Sequence, residues 1–197
     1  MIFDNNYFND KYQGIPIGGY NKLIEGLLSG TECITGTDFF HSEYKDWHKY
    51  AKKLVYTGAI DEYFNYTFGK LDWRTVTFQS RIENTPNYQG NAVVNYTSHE
   101  KPYTRVIEHK HFESFGPDVY KNPKTVVSEE YSTEYADGME PYYPVNDQRN
   151  TSLLQKYLEL AKQEEHVIFA GRLAEYKYYD MAPTIERAMQ LWQEEAK

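Results

Sequence analysis

The spacing of apolar and polar residues near the start of the chain predicts a short amphipathic helix. A glycine-rich loop, residues 13–20, leads into it, and Gly30 is placed to end it. The apolar residues that recur at helical spacing are Leu23, Ile24, Leu27 and Leu28. The loop lacks the spacing of a dinucleotide-binding glycine motif, so a simple entry turn is the other interpretation.

Two short apolar runs then predict strands, at residues 32–35 and 53–57. Cys33 lies within the first, and we expect it to be a buried strand residue rather than a nucleophile. The second run ends at Gly58. A strand, a polar connection and a second strand that ends at glycine are typical of an edge of an α/β unit.

The middle of the chain alternates with a period of two. Four stretches rich in Thr, Val, Tyr and Phe are separated by turn clusters: residues 73–81, 91–97, 103–112 and 125–131. This pattern predicts an antiparallel sheet with one face in contact with solvent. A proline-bracketed loop, residues 141–147, follows it.

Helical spacing returns in the last quarter of the chain. Residues 151–165 predict a helix that Asn150 or Thr151 could cap, and a further helix is predicted from Pro183. The side chains expected to face inward from that final helix are Ile185, Ala188, Met189 and Trp192. The fold class predicted is therefore α/β (α+β), with a mostly antiparallel sheet between two α/β segments.

Composition narrows the function classes. The 197 residues carry a formal net charge of -8, which argues against general nucleic-acid binding. No run is long enough to span a bilayer, no signal peptide is recognisable, and the single cysteine suits a reducing compartment, so we predict a cytoplasmic protein. The 20 tyrosines indicate either surfaces that bind polar ligands or a tyrosine-rich sheet face.

The first residues are unusual for a natural terminus. Residues 3–8 are dense in aromatic and amide side chains, whereas chain termini are usually polar and frayed. We therefore expect the chain to be a piece of a longer protein.

The clearest candidate site lies at residues 167–181. An apolar strand-like run ends at Gly171, Arg172 follows it directly, and three tyrosines and Asp180 precede a helix. Glycine permits close approach of a ligand, arginine is a rigid forked donor, and a helix start offers free N–H groups. This pattern favours a phosphate site, although a surface turn with a solvated arginine is the alternative.

A metal site is not predicted. Strand alternation would place Arg105, Ile107, His109 and His111 on one face, and the two histidines could bind a metal ion. No third ligand follows at a suitable spacing, so both histidines are interpreted as structural or solvated. No nucleophile motif and no pair of catalytic carboxylates is recognisable.

Five ordered motifs carry a resemblance to a known family. They cover residues 3–8, 13–20, 103–112, 140–147 and 171–181. Together they closely resemble the C-terminal half of bacterial UDP-galactopyranose mutase, in order from residue 2 to about residue 185.

The resemblance implies an activity and a set of site residues. The family comprises FAD-dependent isomerases that interconvert UDP-galactopyranose and UDP-galactofuranose for cell-surface glycans, using reduced flavin without net redox change. Arg105 looks like the catalytic arginine that binds the diphosphate, and Tyr7, Tyr143 and Tyr178 look like the tyrosines that donate hydrogen bonds to the same diphosphate. The segment that contacts the flavin would comprise Arg172, Tyr179, Asp180 and Met181.

The resemblance also implies how the chain is organised. Residues 1–62 and 146–197 would be the C-terminal part of an FAD-binding Rossmann-like domain, and residues 63–145 an antiparallel substrate subdomain. The family's N-terminal FAD-binding half would be absent, so we expect this segment alone to be inactive and to self-associate through exposed apolar surface. The alternatives are a non-catalytic module that binds nucleotide sugars or glycans, and another flavoprotein of amine-oxidase-like architecture.

Overall fold

The computed structural model describes residues 10–112 and 116–195. Within these ranges the chain is mixed α/β, with five α-helices and seven β-strands. The helices are α1 (Tyr20–Leu27), α2 (Ile60–Tyr63), α3 (Gln148–Ala161), α4 (Gly171–Ala174) and α5 (Met181–Glu195). The strands are β1 (Leu54–Tyr56), β2 (Trp73–Glu83), β3 (Val93–Asn95), β4 (Arg105–Glu108), β5 (Thr125–Glu134), β6 (Tyr143–Pro144) and β7 (Val167–Phe169).

The chain divides into two compact units. The first unit comprises Met1–Gly36 and Phe78–Tyr131, and the second comprises Thr37–Thr77 and Ser132–Lys197. The functional division suggested by the resemblance, residues 1–62 and 146–197 against residues 63–145, stays a prediction.

The predicted antiparallel sheet is present. Its five strands follow the order β3-β4-β5-β2-β6, and the pairs β3–β4, β4–β5 and β2–β6 are antiparallel. All four stretches with period-two alternation contribute a strand to it. The third is shorter than predicted, because β4 ends at Glu108 and His109–His111 form a turn of 3₁₀ helix.

The interior of the first unit combines aliphatic packing with buried charge. Val106 and Val127 are almost fully buried, and so are Glu108, which is the register partner of Val127, and Lys110. The Glu108 carboxylate accepts the backbone N–H groups of Tyr88 and Gln89 at 3.0 and 2.8 Å. Buried ions are tolerated where such hydrogen bonds replace water, so this carboxylate fixes the loop that precedes β3.

Two predictions for the first unit are wrong. Residues 32–35 form no strand, and Cys33 is exposed rather than buried. Helix α1 forms where its spacing predicts it, yet none of its side chains is buried, and Leu27 is 64% exposed. Periodicity identified the helix correctly but could not show what, if anything, covers its apolar face.

The second unit contains a pair of parallel strands and two small cores. Strands β1 and β7 are parallel, with Val55 opposite Ile168. One core surrounds the buried phenol of Tyr157, and the other surrounds Tyr56 and Trp47. The Tyr157 hydroxyl donates to the Gly69 carbonyl at 2.7 Å, so this buried phenol has a hydrogen-bond partner.

Helix α3 begins earlier than predicted because a different residue caps it. The Asp147 side chain accepts the backbone N–H of Asn150 at 2.7 Å, so Asp147 is the N-cap and Asn150 lies in the first turn. Asn150 is fully buried and accepts the Asp72 backbone N–H. Asn150, which was one of the two predicted caps, instead joins helix α3 to the segment before β2.

Helix α5 also differs from its prediction. It begins at Met181 rather than Pro183, and no side chain of its 15 residues is buried. The residues expected to face inward, Ile185, Ala188, Met189 and Trp192, are all exposed. No helix in the described ranges is both long enough and apolar enough to cross a membrane.

The buried carboxylate of Glu108 gives a pH-dependent prediction. Burial raises its pKa, but the backbone N–H groups of Gln89 and Tyr88 and the neighbouring His111 outweigh burial, so the net pKa is lowered. A lowered folded-state pKa contributes stability above the unfolded pKa near 4.5, and that stability is lost as pH falls through the folded pKa. We expect Glu108→Gln to cost about 2 kcal/mol at pH 7 and clearly less at pH 3.

Urea unfolding of both proteins at the two pH values measures this difference. Glu100→Gln, at an exposed position in the same unit, is the control and should change stability little. An equal loss for Glu108→Gln at both pH values would contradict the assigned role of the ionised carboxylate.

Candidate functional site

The candidate site in the second unit is built on the turn after β7. Gly171 has φ of 85°, a left-handed conformation that favours glycine, and it starts α4 directly after the strand. Just beyond the last residue of β7, the chain is still hydrogen-bonded to β1, since the Ala170 N–H donates to the Tyr56 carbonyl at 3.0 Å. The turn therefore places Arg172 at a defined position just beyond the strand end.

Arg172 is held by two different contacts. Its Nη2 donates to the backbone carbonyl of Tyr142, and its guanidinium carbon lies 5.0 Å from the centre of the Tyr178 ring. The second contact is a cation–π interaction, which suits the planar, weakly hydrated guanidinium. The positive charge is thus fixed beside a tyrosine rather than solvated freely.

Two of the predicted tyrosines stack on each other. The rings of Tyr143 and Tyr178 have centroids 5.4 Å apart and planes inclined by 28°. Both are partly open to solvent, and the Tyr178 hydroxyl donates to Asp180 Oδ1 at 2.8 Å. This hydrogen bond, together with partial burial, raises the pKa of Tyr178. The structure therefore brings together Arg172, Tyr143, Tyr178 and Asp180.

Tyr176 is a supporting residue that the sequence did not single out. It is buried and has φ of 46°, which is uncommon for a residue other than glycine. Its hydroxyl accepts the Val145 N–H at 3.0 Å and donates to the Asp72 carbonyl. These bonds fasten the 171–180 turn to the end of β6. Nothing in the run of three tyrosines distinguishes Tyr176 from the others before the fold is known.

Tyr179 and Met181 occupy a different environment from the stacked pair. Burial and then a hydrogen bond to Glu175 raise the pKa of Tyr179, whose ring lies 5.1 Å from the Lys177 ammonium. Met181 is 61% exposed at the start of α5. Tyr179 lines a groove of about 500 Å³ that also includes Gly171.

Arg105 belongs to the first unit, where two strands orient its side chain. Its Nε donates to Asn95 Oδ1 at 3.0 Å, and its Nη1 lies 3.6 Å from Glu130 Oε2. Both neighbours are its cross-strand partners, Asn95 on β3 and Glu130 on β5. Glu130 is buried, and its carboxylate also accepts a hydrogen bond from the Thr104 hydroxyl at 3.2 Å. The position of this carboxylate therefore does not depend on Arg105 alone.

Asn95 and Glu130 were both missed from sequence. Their register relative to Arg105 depends on pairing across strands separated by loops, which alternation within one strand cannot reveal. Tyr7, the remaining predicted substrate residue, lies outside the described residues.

The prediction that His109 and His111 share the face of Arg105 is wrong for His111. Because β4 ends at Glu108, His111 turns back and its Nε2 lies 3.1 Å from Glu108 Oε2, on the side that alternation assigned to the opposite face. His109 instead bonds to the Ser128 hydroxyl at 2.7 Å. Within residues 10–112 and 116–195, no three His, Cys, Asp or Glu side chains are grouped as a metal ion would need.

The fold and these groups define a class of protein. It is a mixed α/β chain in which oriented arginines and partly exposed tyrosines provide donors and ring faces suited to a polar, anionic ligand. The chain belongs to the UDP-galactopyranose mutase family, whose sequence model matches residues 1–178. The resemblance carried by the five motifs is thereby confirmed.

Curated relatives show the same relationship. A probable UDP-galactopyranose mutase of Klebsiella pneumoniae is 36% identical over 189 residues, which cover 95% of this chain and 47% of the relative. A dTDP-fucopyranose mutase of Escherichia coli is 33% identical, with coverage of 95% and 50%. The UDP-galactopyranose mutase of Mycoplasma pneumoniae is 32% identical, with coverage of 92% and 48%. The chain thus spans about half the length of these relatives, as expected for a C-terminal segment of the mutase.

The hydrogen bond between Tyr178 and Asp180 can be tested directly. The carboxylate stabilises the protonated phenol and opposes the phenolate, so Asp180→Ala should lower the pKa of Tyr178 toward its ordinary value of 10. NMR titration with tyrosine labelled at the ring carbon that carries the hydroxyl would follow this change, and Tyr178→Phe would assign the signal.

Asp137→Ala is the matched control. Asp137 is also an exposed aspartate of the second unit, but its partner is Lys70 rather than a tyrosine of the site. It should leave the Tyr178 signal in place. A Tyr178 pKa that is unchanged in Asp180→Ala would show that the bond does not persist in solution.

Proposed function

We propose that this chain supplies the diphosphate-binding part of a UDP-galactopyranose mutase, which interconverts UDP-galactopyranose and UDP-galactofuranose. Arg105 is the catalytic residue and also binds substrate, together with Tyr7, Tyr143 and Tyr178. The observation that carries this proposal is the stacked Tyr143–Tyr178 pair with Arg172 against it, in a chain of this family. Phenols and fixed cations are the donors that an oxyanion-rich diphosphate requires.

The setting of Arg105 supports its role with a charged leaving group. Asn95 engages one edge of the guanidinium and Glu130 lies near Nη1, while Nη2 has no hydrogen-bond partner within the described residues. A donor already oriented before the reaction stabilises developing charge without reorganisation. Here that charge is the negative charge of the nucleoside diphosphate as its bond to the sugar breaks.

The cofactor of this function is FAD, and the residues proposed to hold it are Arg172, Tyr179, Asp180 and Met181. Their chemistry fits the group: the adjacent Gly171 lines an open groove and has no side chain, Arg172 is a cation for a pyrophosphate, and Asp180 can accept a hydroxyl of the ribityl chain. When bound, reduced FAD supplies the nucleophile for the anomeric carbon of the sugar. The parallel β1–β7 pair beside this turn would then be part of a Rossmann-like FAD domain.

The identity of the nucleotide sugar is a separate part of the proposal. Two of the relatives described above are named for UDP-galactopyranose and one for dTDP-fucopyranose. The relative with the highest identity of these three is named a probable UDP-galactopyranose mutase, which favours UDP-galactose here. Assays should therefore include dTDP-fucose as the competing substrate.

A second candidate function is binding without catalysis. The stacked Tyr143–Tyr178 pair lies wholly in the second unit and is partly open to solvent, so it could bind a nucleotide sugar or a glycan without another polypeptide. Calorimetry of this chain alone with UDP and UDP-galactose separates the two functions. The mutase proposal expects no saturable binding below the millimolar range, whereas the binding module requires it.

Reconstitution tests the mutase proposal. We expect this chain alone to show no isomerisation. With the half of the Klebsiella pneumoniae relative that it does not match, FAD and a reductant, it should convert UDP-galactofuranose to UDP-galactopyranose, as followed by chromatography. Arg105→Ala should lower kcat/KM about 100-fold or more, because an oriented charge donor is lost.

Lys101→Ala is the control for charge. Lys101 is an exposed cation of the same unit whose ammonium lies 5.7 Å from the centre of the Tyr103 ring. Its removal should leave kcat/KM within about threefold of the original. Equal losses for the two variants would argue against a specific role for Arg105.

A further inference from the structure

Four tyrosines of the first unit form one surface row that the proposed function does not use. Three of them are joined by edge-to-face contacts: the ring centroid of Tyr103 lies 5.1 Å from that of Tyr96 and 6.1 Å from that of Tyr131, with planes inclined by 89° and 86°. These three are half-buried, and Tyr88, the fourth, is 46% exposed. We call these four residues the tyrosine row.

A network of charged side chains joins Tyr88 to the other three rings. The Arg81 guanidinium donates from Nη1 to Glu129 Oε1 at 2.7 Å and from Nη2 to the Tyr88 hydroxyl at 3.2 Å. The Tyr131 hydroxyl donates to Glu129 Oε2 at 2.8 Å. The Arg81–Glu129 pair therefore lies between Tyr88 and Tyr131, in the middle of the row.

The tyrosine row and Arg105 belong to different faces of the sheet. Arg105 is the register partner of Glu130, and Val106 is the register partner of Glu129. Because successive residues of a strand point to opposite faces, Glu129 and Tyr131 project away from the face that carries Arg105. The row thus shares no residue with the proposed diphosphate site and does not surround its catalytic arginine.

The charges in and beside the row balance one another. The cations are Arg81 and Lys101, and the carboxylates are Glu83 and Glu129. Arg81 also donates from Nε to Glu83 at 2.6 Å, so three protein partners engage its guanidinium. An anion such as a phosphate requires cations that are not already neutralised. The balance therefore disfavours an ionic ligand and favours a neutral one.

Glu129 keeps hydrogen-bonding capacity for such a ligand. The hydrogen bonds from Tyr131 and Arg81 outweigh partial burial and lower the pKa of Glu129, so its carboxylate is ionised at neutral pH. An ionised carboxylate accepts about four hydrogen bonds, and these two partners use one position on each oxygen. The remaining positions suit hydroxyl groups, which donate a hydrogen bond without bringing a charge.

We propose that the tyrosine row binds a neutral oligosaccharide. The apolar C–H faces of sugar rings pack on tyrosine rings, while sugar hydroxyls donate to Glu129 and bond to the phenols. The edge-to-face contacts hold the rings in place before binding, which reduces the entropy that is lost when the ligand is ordered. Four rings from separate segments offer more surface than a single sugar covers, so the ligand is a chain of sugars.

A saccharide fits this surface better than a protein partner does. The centre of a protein interface is depleted of charged residues, whereas the Arg81–Glu129 pair lies in the middle of the row. Each ring of the row also carries a hydroxyl, and a protein surface packed against it would have to satisfy all of these polar groups. Sugar hydroxyls both donate and accept, so they can bond to the carboxylate and to the phenols alike.

Saturation-transfer NMR with the full chain tests this inference. The probes are three neutral oligosaccharides, β-1,4-galactotetraose, maltoheptaose and cellohexaose, with a heparin hexasaccharide as the anionic comparison. We expect saturable binding of at least one neutral probe and weaker binding of the heparin hexasaccharide. Excess UDP should not displace the neutral probe, because the row offers no uncompensated cation to a diphosphate.

Two substitutions assign the binding to the row. Tyr103→Ala should weaken binding of the neutral probe about 5-fold or more, because the central ring is lost and its two neighbours are no longer held. Glu129→Gln should weaken it about 3-fold or more, because an ionised acceptor becomes a neutral amide. Glu129→Gln keeps the size of the side chain, so it tests the row even if Tyr103→Ala does not fold.

Tyr120→Ala is the matched control. Tyr120 is a tyrosine of the same unit that is 49% exposed, and its ring lies 6.1 Å from that of His111 rather than beside the row. Its removal should change the affinity less than about twofold.

Each other outcome overturns the inference. No saturable binding of any neutral probe, or unchanged affinity in both Tyr103→Ala and Glu129→Gln, would exclude the row as a saccharide site. Tighter binding of the heparin hexasaccharide would contradict the charge balance, and displacement by UDP would place the sugar at the proposed substrate site. Self-association that Tyr103→Ala abolishes, without sugar binding, would identify a second copy of the chain as the occupant. The reconstitution test of the isomerase is independent of all these results.

Discussion

The buried phenol of Tyr176 is the interaction on which the site in the second unit depends. It accepts the Val145 N–H and donates to the Asp72 carbonyl, so it links the segments that flank β6 and β2 to the turn after β7. Its positive φ is unfavourable for a tyrosine, and burial with two hydrogen bonds offsets that cost. Tyr178 follows two residues later, and its stacking on Tyr143 depends on this attachment.

The guanidinium groups of Arg105 and Arg172 are oriented by protein contacts in similar ways. Each has part of its guanidinium engaged by the protein: Arg172 by the Tyr142 carbonyl and the Tyr178 ring, and Arg105 by Asn95 and Glu130. Such contacts reduce the conformational entropy that a long side chain loses when a ligand binds. A site that must respond to charge developing on a leaving group benefits from cations that are already oriented.

Predictions made from local pattern succeeded where the pattern reports on one element. Alternation located β2 and β5 nearly to their ends, and helical spacing located α1 and α3. Predictions failed where they needed knowledge of neighbours. Cys33 is exposed in a stretch that forms no strand, and His111 leaves the face of Arg105 because β4 ends at Glu108 and a turn of 3₁₀ helix follows. Neither packing nor capping can be read from periodicity alone.

The sequence by itself determined the family, the antiparallel strands and the arginines and tyrosines proposed to bind the diphosphate, because motif order and residue chemistry are properties of the chain. Tertiary structure decided which of these side chains meet and what supports them: Tyr143 against Tyr178, Glu130 beside Arg105, and Tyr176 beneath the turn. It also revealed the open groove between β1, β7 and α5. The physical reason is that cross-strand register and burial arise from contacts between residues distant in sequence, which no local pattern encodes.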